Sequence, residues 1–179
     1  GLLGGVADLG KLELIETQDV TSVTNIDFTD IKEDIYNVHL LTVNNAHITV
    51  DSRRYIIQFY ESGVLETASV YQYAHQAGNA NGGFAERKST SANHIRGSST
   101  YGNATGESSQ GYIYFYNLGD SSKYSFTTSQ TVQMDVSPDF TFEFGSGVMT
   151  QASVVDGIRI SVTDGFDEAT FSLYGIAES

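Results

Sequence analysis

Apolar and polar residues alternate with a period of two along most of this chain, and that pattern decides what it can fold into. Phe140, Phe142 and Phe144 are separated by Thr141 and Glu143, and Ile158, Ile160 and Val162 by Arg159 and Ser161. Successive side chains of an extended strand point to opposite faces, so the alternation predicts half-buried strands rather than helices. The same reading holds for Leu12 to Thr17, Val23 to Phe28, Ile35 to Val43 and Thr67 to Tyr73. Tyr55 to Tyr60, apolar on both faces except Gln58, reads as a central strand. Tyr112 to Tyr116 reads as a run of β-formers, Tyr124 to Val136 as one long strand or two, and Ala169 to Ile176 as the last strand. Turn-forming residues fall between these runs: Asn44-Asn45, Glu61-Ser62-Gly63, Asn117-Leu118-Gly119-Asp120, Ser137-Pro138-Asp139, Gly145-Ser146-Gly147 and Asp164-Gly165. About ten strands with turn signals every ~8–12 residues is the spacing of a sandwich or barrel. The expected fold is all-β, a single-domain β-sandwich of jelly-roll or Greek-key type. Little helix is expected beyond one turn at Asp30 to Asp34.

A chain of 179 residues is long enough for one domain with its own core, and 10 Phe and 11 Tyr supply apolar material for it. No linker rich in Pro or charge divides the chain, which holds a single Pro. Residues 1–10 are Gly-rich and mildly apolar and are expected to form a flexible N-terminal arm, with Leu2, Leu3 and Val6 available for docking into a partner. Residues 11–179 are expected to form the sandwich. Within it, Gly78, Gly82, Gly83, Gly97, Gly102 and Gly106 lie among Asn, Ser and Thr. The stretch 76–111 therefore reads as a long loop region, with one weak strand around His94 to Ser99. Leu12 to Gln18 and Phe171 to Ile176 are expected to pair near the chain ends.

Nine basic residues against 22 acidic ones give a net charge of −13 and a pI near 4.4. Binding nucleic acid through its phosphates needs concentrated Lys and Arg, and only Arg53-Arg54 and Arg87-Lys88 are adjacent here. Nucleic acid is thus not an expected partner. Membrane insertion is not expected either, since no apolar run approaches the ~18–20 residues that a spanning helix needs. The absence of Cys removes disulfides, thiolate metal sites and cysteine nucleophiles.

His39, His47, His75 and His94 never stand at spacings that place two imidazoles on one ion, although His39 and His47 flank the Asn44-Asn45 turn signal. The acidic segment from Asp164 to Glu168 lacks calcium-loop spacing and reads as a solvated hairpin turn. No Gly-x-Ser-x-Gly elbow is present, and Gly78-x-x-x-x-Gly83 lacks the Lys and Ser or Thr of a phosphate loop. Asn103-Ala104-Thr105 matches a glycosylation sequon. No catalytic residue, metal site or cofactor is expected. The residues that stand out instead are Tyr71, Tyr73, Tyr112, Tyr114 and Tyr116, which as an aromatic ladder would suit a protein partner or a glycan.

Several segments together resemble a known group. Gly10-Lys11-Leu12-Glu13-Leu14-Ile15-Glu16-Thr17-Gln18 leads into Ile26-Asp27-Phe28-Thr29 and then Asp34-Ile35-Tyr36. Near the other end, Ile158-Arg159-Ile160 leads to Ala169-Thr170-Phe171-Ser172-Leu173-Tyr174-Gly175-Ile176, and Gly111-Tyr112-Ile113-Tyr114-Phe115-Tyr116 lies between. The chain resembles virion structural proteins of tailed bacteriophages, which open with an L-I-E-T-Q strand and close with G-x-I-S-L-Y-G-I. It reads Ile35-Tyr36-Asn37-Val38 where that group often has Tyr-Asp-x-Tyr. The resemblance implies a non-enzymatic subunit on the exterior of the particle, assembled in the host cytoplasm, as capsid decoration or head fibre. It also implies a homo-oligomer, with a trimer preferred, contacting capsid or tail subunits. A receptor-binding tail-fibre role and a stand-alone carbohydrate-binding module that takes host surface glycans are the alternatives. A polysaccharide-degrading virion enzyme is disfavoured, because no carboxylate pair is marked out by the sequence.

Overall fold

A computed structural model describes residues 11–177. Among these residues there is no helix, and eleven strands carry the fold. They are β1 (Leu12–Phe28), β2 (Val38–Ile48), β3 (Tyr55–Glu61), β4 (Val64–Leu65), β5 (Tyr71–Asn79), β6 (Phe84–Ala92), β7 (Ile95–Arg96), β8 (Ser109–Tyr116), β9 (Tyr124–Met134), β10 (Phe140–Ala152) and β11 (Gly157–Ile176). All pair antiparallel in one curled sheet, in the order β4-β3-β11-β2-β8-β9-β10-β5-β6, with β1 on β11 and β7 on β3. The chain is an all-β sandwich made by folding that sheet over on itself.

Two bent strands join the layers. The first part of β11 pairs with β3 from Gly157 to Val162, and its second part pairs with β2 from Phe166 to Gly175. Strand β1 follows β11 through the bend, pairing Leu12 with Ile176 at one end and Phe28 with Ile158 at the other. The expected pairing of the two end segments is therefore present, with Gln18 opposite Phe171. Asp164 and Gly165 form the corner of β11 with φ of 72° and 110°, backbone values that favour Gly and Asp.

The core lies between the β3–β7–β11 layer and the larger layer of β2, β8, β10 and β5. Phe59 meets Phe115 and Tyr71 across the gap at ring-centroid distances of 6.0 Å. Tyr55, Phe166 and Phe171 form a second aromatic cluster. All six rings are fully buried. Full burial of one such ring contributes roughly 1.5–3 kcal/mol.

Several sequence expectations need correction. Asn44-Asn45 is no turn but a β-bulge inside the continuous β2, where Asn45 takes φ of 50°. Likewise Leu12 to Thr17 and Val23 to Phe28 are one strand, bulged near Ser22. Asp164 to Glu168 is a strand corner with Phe166 in the core, not a solvated hairpin turn. Gly145-Ser146-Gly147 lies mid-strand in β10. At Gly147 a Cβ would stand 2.5 Å from the Ile95 side chain, so the glycine lets β7 sit flat on β10. The single helical turn expected at Asp30 to Asp34 lies two residues later, where Tyr36 N–H donates to Lys32 O, and it does not continue into a helix. Residues 76–111 are not one long loop: they hold the end of β5, all of β6 and β7, and the start of β8.

Candidate functional surface

Strands β9 and β10 invert the usual pattern of a sandwich. In β9 the buried positions are Ser125, Thr127, Ser129, Thr131 and Gln133, and in β10 they include Thr141 and Glu143. Their apolar alternates point outward: Phe126, Phe140 and Phe144 are 43%, 44% and 48% exposed. Phe140, Phe142 and Phe144 stack along β10 at 6.4 and 6.2 Å, the last two rings nearly parallel.

The register extends this face across the sheet. One row runs Leu14, Tyr174, Leu40, Tyr114, Thr128, Ser146, Ala74 and Lys88. A neighbouring row sets Val38, Tyr116, Phe126 and Val148 side by side. Tyr112, Tyr114 and Tyr116 thus stand in line on β8, with ring centroids 5.7 and 6.4 Å apart. The hydroxyl of Tyr112 donates to Gln130 Oε1 at 3.2 Å, and Tyr116 shares a hydrogen bond with Thr128 at 3.1 Å. In these registers no outward side chain of β2, β8, β9 or β10 between Val38 and Thr42 and their partners carries a charge. The charges begin at the β6 edge, where Glu86 and Lys88 pair at 2.6 Å. An open groove of about 700 Å³ crosses the face over Ala74 and Ser146, between Phe126, Val148 and Lys88.

Two of the five expected tyrosines lie elsewhere. Tyr71 is in the core, where its hydroxyl accepts from Phe59 N–H at 3.0 Å and donates to Glu66 O. Burial pushes its ionisation well up. Tyr73 faces the inner side of the sheet, stacked on His94 and edge-on to His75. Leu2, Leu3 and Val6 fall outside the described residues. The outward Phe140, Phe142 and Phe144 were visible as an alternation in the sequence, but their side of the sheet was not. The signal for it was the Ser/Thr alternation of β9, which shows that the polar set of this hairpin can be the inner one.

Under that inverted hairpin lies an ionic cluster. Arg96 donates to Glu143 through Nε at 2.9 Å and Nη2 at 3.0 Å, and His75 Nδ1 lies 2.9 Å from Oε1. Burial favours the neutral acid, but the donors on His75 and Arg96 and the Arg96 charge outweigh it and hold Glu143 down at about 2. His39 and His47 do not meet. His39 is buried against Ile31 O, and His47 sits beside Asp167. Among the described residues no group of three or more His, Asp or Glu is arranged to hold a metal ion. The Asn103 amide of the sequon donates to Thr49 O at 2.9 Å.

No protein-family model matches the chain, and no curated protein matches it. Among solved structures, a fructofuranosidase from Schwanniomyces occidentalis complexed with fructosylnystose aligns at 5% identity and a TM-score of 0.21. The alignment covers 92% of this chain and 34% of the enzyme, so the chain spans about a third of that protein's length. A likeness at this level carries no argument about fold or activity.

Proposed function

We propose that this chain is a non-enzymatic structural subunit that associates with copies of itself through the outward face of β8, β9 and β10. The observation that carries the proposal is the inverted hairpin, with hydroxyls inside and a Phe ladder outside. Large contiguous apolar patches are rare on monomers and mark contact surfaces. A second copy is the occupant the charges favour. Copies bearing −13 each repel one another, except where the surface between them is uncharged, and this face is.

The particle to which the motif resemblance points is the exterior of a tailed-phage virion, with the chain as capsid decoration or head fibre. Glu143 supports a non-catalytic reading, since a carboxylate held near 2 and filled by three donors is a poor general base. Glycan recognition by a tail-fibre subunit is a second reading. It is favoured by Gln130 and Thr128 interleaved with the tyrosine ladder.

The test is the solution mass of the purified chain by sedimentation equilibrium, with and without residues 1–10. A defined oligomer that Phe144→Glu disperses is the expected result. A monomer at tens of micromolar in every form overturns the self-association reading, and a glycan array then decides the second one.

A further inference from the structure

A different part of the molecule carries an inference that does not depend on the assembly reading. Between the turn before β3, the β6–β7 turn and the corner of β11 lies a depression of about 350 Å³. It is lined by Ser52, Arg53, Arg54, Ile56, His94 and Thr163. Arg53 is neutralised there by Asp164. Nearby, Arg96 is neutralised by Glu143. Arg54 is the charge left over: among the described residues its Nε–H is buried with no acceptor. His94 Nε2 is likewise buried without a partner. Two unsatisfied polar atoms on two separate turns thus belong to side chains of one depression. Buried polar groups left unpaired cost roughly 1–3 kcal/mol each, so their coincidence points to something that completes them.

We infer that this depression binds an oxyanion, a carboxylate or sulfate-like group on a hydrophilic ligand, held by Arg54 and by His94 in its protonated form. The His94 ring is fixed for this by stacking on Tyr73 at 6.3 Å and by Nδ1 lying 2.8 Å from Asn93 Oδ1. An amide oxygen only accepts, so Nδ1 carries a hydrogen and Nε2 is bare in the neutral ring. A proton taken up at Nε2 turns it into a second donor, on the other side chain of this depression that has an unpartnered nitrogen. The hydroxyls of Ser52 and Thr163 line the same depression and can bond to the rest of a sugar-like ligand.

The charges around His94 make binding proton-linked. Burial lowers its basicity first, and the positive charges of Arg54 and Arg96 lower it further. The other groups packed around it are the Tyr73 ring and the Asn93 amide, while Glu143 and Arg87 act on Arg54. An arriving anion offsets the repulsion, so the bound protein takes up a proton at His94 and affinity rises as pH falls.

The experiment follows the His94 imidazole by NMR on the full chain across pH 5–8 at constant ionic strength. The probes are sulfate, glucuronate and, as the neutral control, glucose; neither anion changes its own charge over that range. Saturable binding that moves the His94 titration upward by about one pH unit is expected with an anion and not with glucose. A response to sulfate alone assigns a tetrahedral oxyanion, and one to glucuronate assigns a carboxylated sugar. Arg54→Gln is expected to weaken binding roughly ten- to hundredfold. In the free protein it should raise the His94 titration, because one positive neighbour is gone. The inference is overturned if neither anion binds saturably, if glucose matches glucuronate, or if Arg54→Gln leaves both readouts unchanged.

Discussion

Replacing Glu143 by Gln tests the polar interior most directly. Glu143 is 2% exposed and accepts both arms of Arg96, itself 5% exposed, together with His75. The Gln variant keeps the shape and removes the charge, leaving the Arg96 guanidinium buried against a neutral amide. Breaking a buried ion pair in this way costs about 3–5 kcal/mol. The hold of these donors on the Glu143 carboxyl gives the same scale. The gap between an ordinary glutamate at 4.5 and Glu143 at about 2 corresponds to roughly 3 kcal/mol. A folded-state value below the unfolded one means that this stability is fully present above about pH 4.5 and is lost as pH falls toward 2.

Urea unfolding of the wild type and Glu143→Gln at pH 7, 4 and 3 therefore has a definite expected form. The variant is less stable by about 3 kcal/mol at pH 7, which lowers Tm by roughly 10 °C in a domain of this size. The gap then narrows with acid, because a protonated Glu143 is close to a Gln. The reasoning is refuted by a variant within 1 kcal/mol of wild type at pH 7, or by a gap that is the same at pH 7 and pH 3.

Other outcomes follow from the same geometry. Phe144 leaves 48% of its surface in water, roughly 100 Å², so Phe144→Ala should cost about 2 kcal/mol per face in a self-association that buries it. Sedimentation would read that as about a thousandfold weakening where two such faces meet. Gly147→Ala places a Cβ against Ile95 and should destabilise by about 1–3 kcal/mol, with Ile95→Ala partly restoring the Tm of the double variant. Tyr71→Phe removes the acceptor of Phe59 N–H and the donor to Glu66 O, at a cost of about 1–3 kcal/mol in chemical denaturation.

Alternation revealed nearly every strand, because a half-buried strand needs it wherever the strand sits. It failed at Ser22, Asn45 and Asp164, where turn-forming residues adopt positive φ inside continuous strands. A bulge and a hairpin turn draw on the same residue types, and only the partner strand distinguishes them. The glycines of 76–111 misled for a related reason. Gly78 is a strand residue, paired with Phe142, and glycine is needed there because a Cβ would stand 2.5 Å from the Phe142 ring. The candidate surface was legible on β8 and hidden on β10. Phe140, Phe142 and Phe144 announce a strand, but which alternate set faces the core depends on what lies beneath it. Beneath β10 that is Arg96, brought in from a two-residue strand far away in sequence.

The bent pair of β1 and β11 also governs the order in which the molecule can be made. β11 lies between β1 on one side and β2 and β3 on the other, yet it is made after every other described strand. While the chain is still leaving the ribosome, Leu12–Phe28 has no partner, and the layer holding β3 cannot be joined to the rest. The hairpins of β5–β6 and β8–β9–β10 need only local contacts and form first, with both their faces bare. Closure through residues so distant in sequence makes folding slow, and until it happens the inner face that carries Phe59 and Phe115 is as open as the Phe ladder, so the unfinished chain is at its stickiest just before the sheet closes.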